Sequence, residues 1–148
     1  MQKSTTNNFE ETQKLGENFA HEILLKDLQK TATVLALSGD LGAGKTTFLQ
    51  GFAKGLGITD VVNSPTFVIL KRFMMYDLRF KNFYHIDCYR LENPEEILQL
   101  GFEEIISNPK NIVAIEWPEK LGEVLPKNSI SIAFGHLKEN EREINVIE

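Results

Sequence analysis

The residues best equipped for chemistry in this chain are a lysine and a threonine that close a glycine-rich octapeptide. Gly39-Asp40-Leu41-Gly42-Ala43-Gly44-Lys45-Thr46 satisfies G-x-x-x-x-G-K-[ST] in full. Glycines at these places let successive backbone N–H groups curl around phosphate oxygens. A helix opening directly after the loop would add the positive end of its dipole. Lys45 can then reach the β- and γ-phosphates of a nucleotide, and the Thr46 hydroxyl can ligate Mg2+.

A phosphate loop needs a carboxylate near its metal, and two acids stand at the ends of apolar runs. Asp87 follows Phe83-Tyr84-His85-Ile86, and Glu116 follows Ile112-Val113-Ala114-Ile115. Spacing leaves open which of them touches Mg2+ and which orients water. Thr66, in Ser64-Pro65-Thr66-Phe67, is either a switch threonine that contacts the γ-phosphate and Mg2+ or an ordinary strand-start residue. His21, His85 and His136 are scattered and read as structural or solvated, and Cys88 as a small, partly buried residue. Trp117 follows Glu116 as core or site wall, and Arg90 could reach a phosphate or a helix end. Lys71, Arg72, Arg79 and Lys81 cluster with Asp77 as the only acid among them. That cluster is either a surface for RNA or an acidic partner, or a solvated hairpin tip. No N-K-x-D element is present, so nothing supports guanine specificity.

The elements that must position these groups can be read from periodicity. Residues 1–8 are polar and are expected to fray. Phe9 to about Leu28 has the spacing of an amphipathic helix with acids in its first turn. Thr33–Ser38 is a short apolar run without a polar face, as in a buried parallel strand. Thr46–Leu56 reads as a helix closed by Gly55 and Gly57. Phe67–Met75 and Phe83–Tyr89 are strand-like, with a turn over Asp77–Asn82. Pro94-Glu95-Glu96 opens a helix, and Asn111–Ile115 is another buried strand. Ser129–Phe134 and Arg142–Ile147 alternate as a hairpin around Lys138–Glu141. These elements predict an α/β fold in three layers, P-loop NTPase-like, with a mostly parallel central sheet and additional antiparallel strands.

Composition narrows the classes. The 148 residues suit a single domain, expected over 1–148, and 42% hydrophobic with 25% charged residues is ordinary globular composition. Sixteen Lys and Arg against twenty-one Asp and Glu give a net charge of −5, which disfavours a domain that grips nucleic acid alone. One cysteine cannot form an internal disulfide or a multi-cysteine zinc cage. With no apolar run long enough to span a bilayer and no signal-peptide pattern, a cytoplasmic location is expected.

Four strings in order, GDLGAGKTTF (39–48), NSPTF (63–67), HIDCYRL (85–91) and IEWPEKL (115–121), closely resemble the TsaE family, also called YjeE, of small bacterial P-loop ATPases. The resemblance runs from the FEETQKLGENFA helix to the final strands. It implies a role in forming threonylcarbamoyladenosine at position 37 of tRNA, together with TsaB and TsaD, with tRNA met indirectly through that complex. By residue, it implies ATP phosphates held by Gly39, Asp40, Leu41, Gly42, Ala43, Gly44, Lys45, Thr46 and Thr47. It further implies Mg2+ on Thr46 and Glu116, Asp87 as the acid of a Walker-B-like strand, and Thr66 as the switch threonine. Thr12 is implied to lie near the nucleotide base and Arg142 to close over the nucleotide. The resulting expectation is a Mg2+-dependent ATPase, accessory to tRNA modification, with Lys45, Thr66, Asp87 and Glu116 as its catalytic groups. The rival readings are a small-molecule kinase, which four scattered arginines suit poorly, and a nucleotide-dependent switch.

Overall fold

The computed structural model describes residues 2–60, 62 and 69–148. Four strands form its parallel centre. These are β2 (Thr33–Ser38), β4 (Asn82–Asp87), β5 (Asn111–Glu116) and β6 (Ile130–His136). They lie in the order β6-β2-β5-β4, each parallel to its neighbour. Every residue of β5 is buried, and β2 is buried up to Ser38, because helices cover both faces of these strands. At one edge β3 (Leu70–Met74) pairs antiparallel with β4; at the other, β7 (Arg142–Ile147) pairs antiparallel with β6. The α/β class and the mostly parallel sheet with added antiparallel strands are therefore as expected.

The N-terminal residues differ from expectation. Residues 2–6, read as frayed, form an outer strand β1 (Gln2–Thr6) paired antiparallel with β7. Its polarity follows from its place at the sheet edge, where only Thr6 is buried.

The helices α1 (Phe9–Leu25) and α2 (Lys45–Gly55) cover one face. Asn8 caps α1 by accepting the Glu11 backbone N–H at 2.8 Å. The helix stops at Leu25 rather than near Leu28, because Lys26 is already extended. There the Arg79 guanidinium donates to the carbonyls of Leu24 and Lys26, satisfying orphan acceptors and opposing the negative end of the dipole. Arg79 thus works as a helix cap, while Lys71, Arg72 and Lys81 remain exposed. Helices α1 and α2 touch backbone to backbone. A Cβ on Gly51 would lie 1.8 Å from the Gln13 carbonyl oxygen, and one on Gly16 2.1 Å from that of Phe48. Phe19, Phe48, Phe52, Phe83 and Phe134 fill the space between these helices and the sheet.

Shorter pieces cover the opposite face. They are α3 (Glu95–Leu98), α4 (Phe102–Ser107) and a 3-10 segment over Pro118–Val124. Ile97, Phe102, Leu121 and Cys88 pack there against Val34, Val113 and Ile115. No helix among the described residues is long and apolar enough to cross a membrane.

Candidate functional site

Because β2, β4 and β5 run parallel, their C-terminal ends meet at one edge of the sheet, and each ends in or leads into residues singled out from the sequence. The glycine-rich loop leaves β2, Asp87 ends β4 and Glu116 ends β5. Asp87 and Glu116 are direct partners in the β4–β5 register. Open α/β sheets bind ligands at this carboxyl edge. A cleft of about 670 Å³ lies here.

The loop has the backbone that a phosphate cradle requires. Gly39, Gly42 and Gly44 have φ of 140°, 78° and 104°, values that disfavour side chains. Gly44 is the N-cap of α2 and offers no side-chain cap, so the first turn of the helix faces the cleft with its positive dipole end. Leu41, Gly42, Gly44, Lys45, Thr46 and Thr47 line the cleft. Asp40 is exposed and Ala43 buried; they shape the turn, with the Ala43 N–H donating to the Asp40 carbonyl at 3.1 Å.

The buried Lys45 ammonium donates to the Gly39 carbonyl at 2.5 Å and lies 3.7 Å above the centre of the Trp117 ring. Burial pushes its pKa down, and the surrounding charges of Glu116, Glu119, Asp87 and Asp40 oppose that fall. Asp87 is half-buried, and desolvation raises its carboxyl pKa despite the Tyr89 N–H that it accepts at 3.0 Å. Glu116 is 2% exposed and lies 2.6 Å from His85 Nε2.

Two residues far apart in sequence complete the near wall. Thr12, on α1, and Arg142, at the start of β7, both line the cleft beside Gly44. Arg142 donates to the Gly42 carbonyl at 3.3 Å. The buried Thr12 hydroxyl donates to the Asn8 carbonyl at 3.3 Å and lies 2.7 Å from the Thr6 hydroxyl, so strand β1 helps to fix it. Thr66 lies outside the described residues.

The structure adds cleft residues that the sequence did not single out: Asn8, Phe9, Ile69, Tyr89 and Asn140. Phe9, the first apolar position of the amphipathic helix, is 55% exposed at the cleft. Trp117 is indeed a wall, and it holds left-handed backbone angles (φ 58°, ψ 51°) that a bulky side chain rarely adopts. Its ring meets Tyr89 at 5.1 Å between centroids. The pairing of His85 with Glu116 was also missed; the His-x-Asp spacing carried the signal only once β4 was known to lie beside β5.

The described residues contain no group of three or more His, Cys, Asp or Glu side chains able to cage a metal. One hydroxyl and two neighbouring carboxylates beside a phosphate cradle nevertheless fit Mg2+, which keeps several waters and takes its other ligands from substrate phosphates.

The family model described as "Threonylcarbamoyl adenosine biosynthesis protein TsaE" matches residues 6–144. A Bacillus subtilis (strain 168) protein named tRNA threonylcarbamoyladenosine biosynthesis protein TsaE is 44% identical over 115 residues, 78% of this chain and 69% of the relative. A Haemophilus influenzae protein of the same name is 38% identical over 134 residues, 90% and 81% of the two chains. The crystal structure of Bacillus subtilis YdiB superposes with a TM-score of 0.76 at 35% identity, covering 98% of this chain and 83% of that one. Matched by this family model over residues 6–144 and by relatives at 38–44% identity, the chain belongs to the TsaE family of threonylcarbamoyl adenosine biosynthesis proteins.

Proposed function

We propose that this chain binds ATP with Mg2+ in the cleft at the carboxyl edge of its sheet and hydrolyses it in the service of tRNA threonylcarbamoyladenosine formation. The single observation that carries this reading is the convergence of a complete phosphate loop with two register-paired carboxylates, Asp87 and Glu116, in one cleft. Backbone N–H groups from Gly42 to Thr47 and the α2 dipole hold the phosphates. Lys45 exchanges the Gly39 carbonyl for phosphate oxygens and neutralises charge that grows in the transition state. Mg2+, when bound, acts as a Lewis acid on the phosphate oxygens. Thr46 and Glu116 would hold it. Asp87, whose raised pKa keeps it a capable proton acceptor, orients the attacking water. Arg142 and Thr12 close the near wall over the nucleotide. TsaB and TsaD are the proposed partners, and tRNA is met through them, which suits a chain with a net charge of −5.

Calorimetric titration with ATP and GTP, each with Mg2+, together with steady-state hydrolysis, tests the reading. ATP should bind more tightly, and Lys45→Ala should cut turnover about 10²- to 10³-fold while the fold persists. Equal GTP binding, or wild-type turnover in a folded Lys45→Ala protein, would sink it. Added TsaB and TsaD should raise turnover; no effect of either would remove them as partners.

A further inference from the structure

Strand β4 sends Phe83, His85 and Asp87 to one face of the sheet, in steps that run from the core to the cleft. The middle residue is an imidazole with no exposure at all. Burying a polar ring is costly unless it is hydrogen-bonded. Its partner is Glu116, 97% of whose side chain is also removed from solvent; His85 Nε2 and Glu116 Oε2 lie 2.6 Å apart. In register, the residue opposite His85 is Ala114, whose small side chain leaves the imidazole room beside Glu116 on the same face of β5. His85 Nδ1 has no hydrogen-bond partner. A proton on Nδ1 would therefore be an orphan donor, whereas a proton on Nε2 is accepted by the carboxylate, so the arrangement favours the Nε2–H tautomer.

We infer that His85 is a positioning residue for the divalent cation: its Nε2–H fixes one oxygen of Glu116 and leaves the other for the metal beside Thr46. The inference rests on the proposed role of Glu116 as a metal ligand. A glutamate at a strand end has one more side-chain torsion than an aspartate, and a buried donor behind it restricts that freedom. Partners that orient a metal ligand from behind contribute to affinity without touching the ion.

The test uses the full chain holding a non-hydrolysable ATP analogue, with Mn2+ binding followed by electron paramagnetic resonance. Glu116→Gln should weaken Mn2+ binding. His85→Leu should weaken it about 10- to 100-fold while leaving metal-free nucleotide affinity unchanged. His85→Gln, whose amide can place a donor near the Nε2 position, should restore most of the loss. Wild-type Mn2+ affinity in Glu116→Gln would overturn the metal role of Glu116 and the inference with it. Weakened binding in Glu116→Gln but wild-type affinity in His85→Leu would overturn the inference alone. Equal losses in His85→Leu and His85→Gln would also overturn it, because they would mark His85 as packing only. Should His85→Leu fail to fold, the nitrogen shifts of His85 in the unsubstituted protein decide: an Nε2–H tautomer supports the inference, and an Nδ1–H tautomer overturns it.

Discussion

On one face of the sheet two long helices meet through glycines and a layer of phenylalanines; on the other, three short helical pieces cover the strands with Ile97, Phe102, Ile105 and Leu121, and Cys88 packs beneath them. The first face carries the phosphate loop and Thr12. Backbone amides must be placed there, so the element that bears them has to be long, regular and tightly held. The second face supplies Tyr89, Arg90 and Trp117 from the connections that leave β4 and β5. Side chains can be delivered by irregular backbone, even by the left-handed Trp117. Irregular does not mean loose, since Ile97, Phe102 and Leu121 on this second face have no exposure.

The largest effect expected from this contrast concerns Cys88. Burial, helped by the Asp87 and Glu119 charges, pushes its thiol pKa up to about 12. The thiolate is the reactive form, so raising the pKa removes it at working pH. Iodoacetamide at mildly alkaline pH should label folded protein about 10³-fold more slowly than unfolded protein. Comparable rates would mean that the short-helix face opens readily, and the contrast would change its meaning. Next is Gly51→Ala. Helix propensity alone would make this substitution stabilising by about 1 kcal/mol. The methyl group would meet the Gln13 carbonyl, so a net loss of about 3 kcal/mol is expected instead. Urea unfolding with an unchanged m value measures it, and a more stable variant would show that the two helices part at little cost. The smallest effect is that of Arg79→Ala, which uncaps α1 and should cost about 1 kcal/mol. An unaltered thermal midpoint would return Arg79 to the status of a solvated turn residue.

What the sequence disclosed follows the same division. Strands β2 and β5 are continuous apolar runs because both faces are covered, and the start of α2 is fixed by the loop that precedes it; such local signals need no knowledge of neighbours. Strand β1 was illegible because an edge strand with one buried residue carries no hydrophobic alternation. The roles of Arg79 and His85 were illegible for a different reason. Arg79 reaches Lys26 across 53 positions and His85 reaches Glu116 across 31, so their meaning depends on which elements lie side by side. Thr12 and Arg142 came from the family resemblance alone, and the structure brings both to Gly44.

The pairing of β1 with β7 has a consequence for the order in which the protein is made. By the time Glu116 has been synthesised, the phosphate loop and both carboxylates exist. Strand β2 still lacks its neighbour β6, and Phe134, whose carbonyl oxygen would lie 2.6 Å from a Cβ on Gly39, is still to come. Strand β1 must wait longer, because among the described residues its one partner in the sheet is β7. Thr6 sits on β1 and Arg142 on β7, so the wall formed by Thr12 and Arg142 is assembled only once β7 has left the ribosome. A nascent chain therefore carries the phosphate-binding motif long before it carries the cleft, and a translation product cut short after Glu116 would display the motif without the wall that closes it.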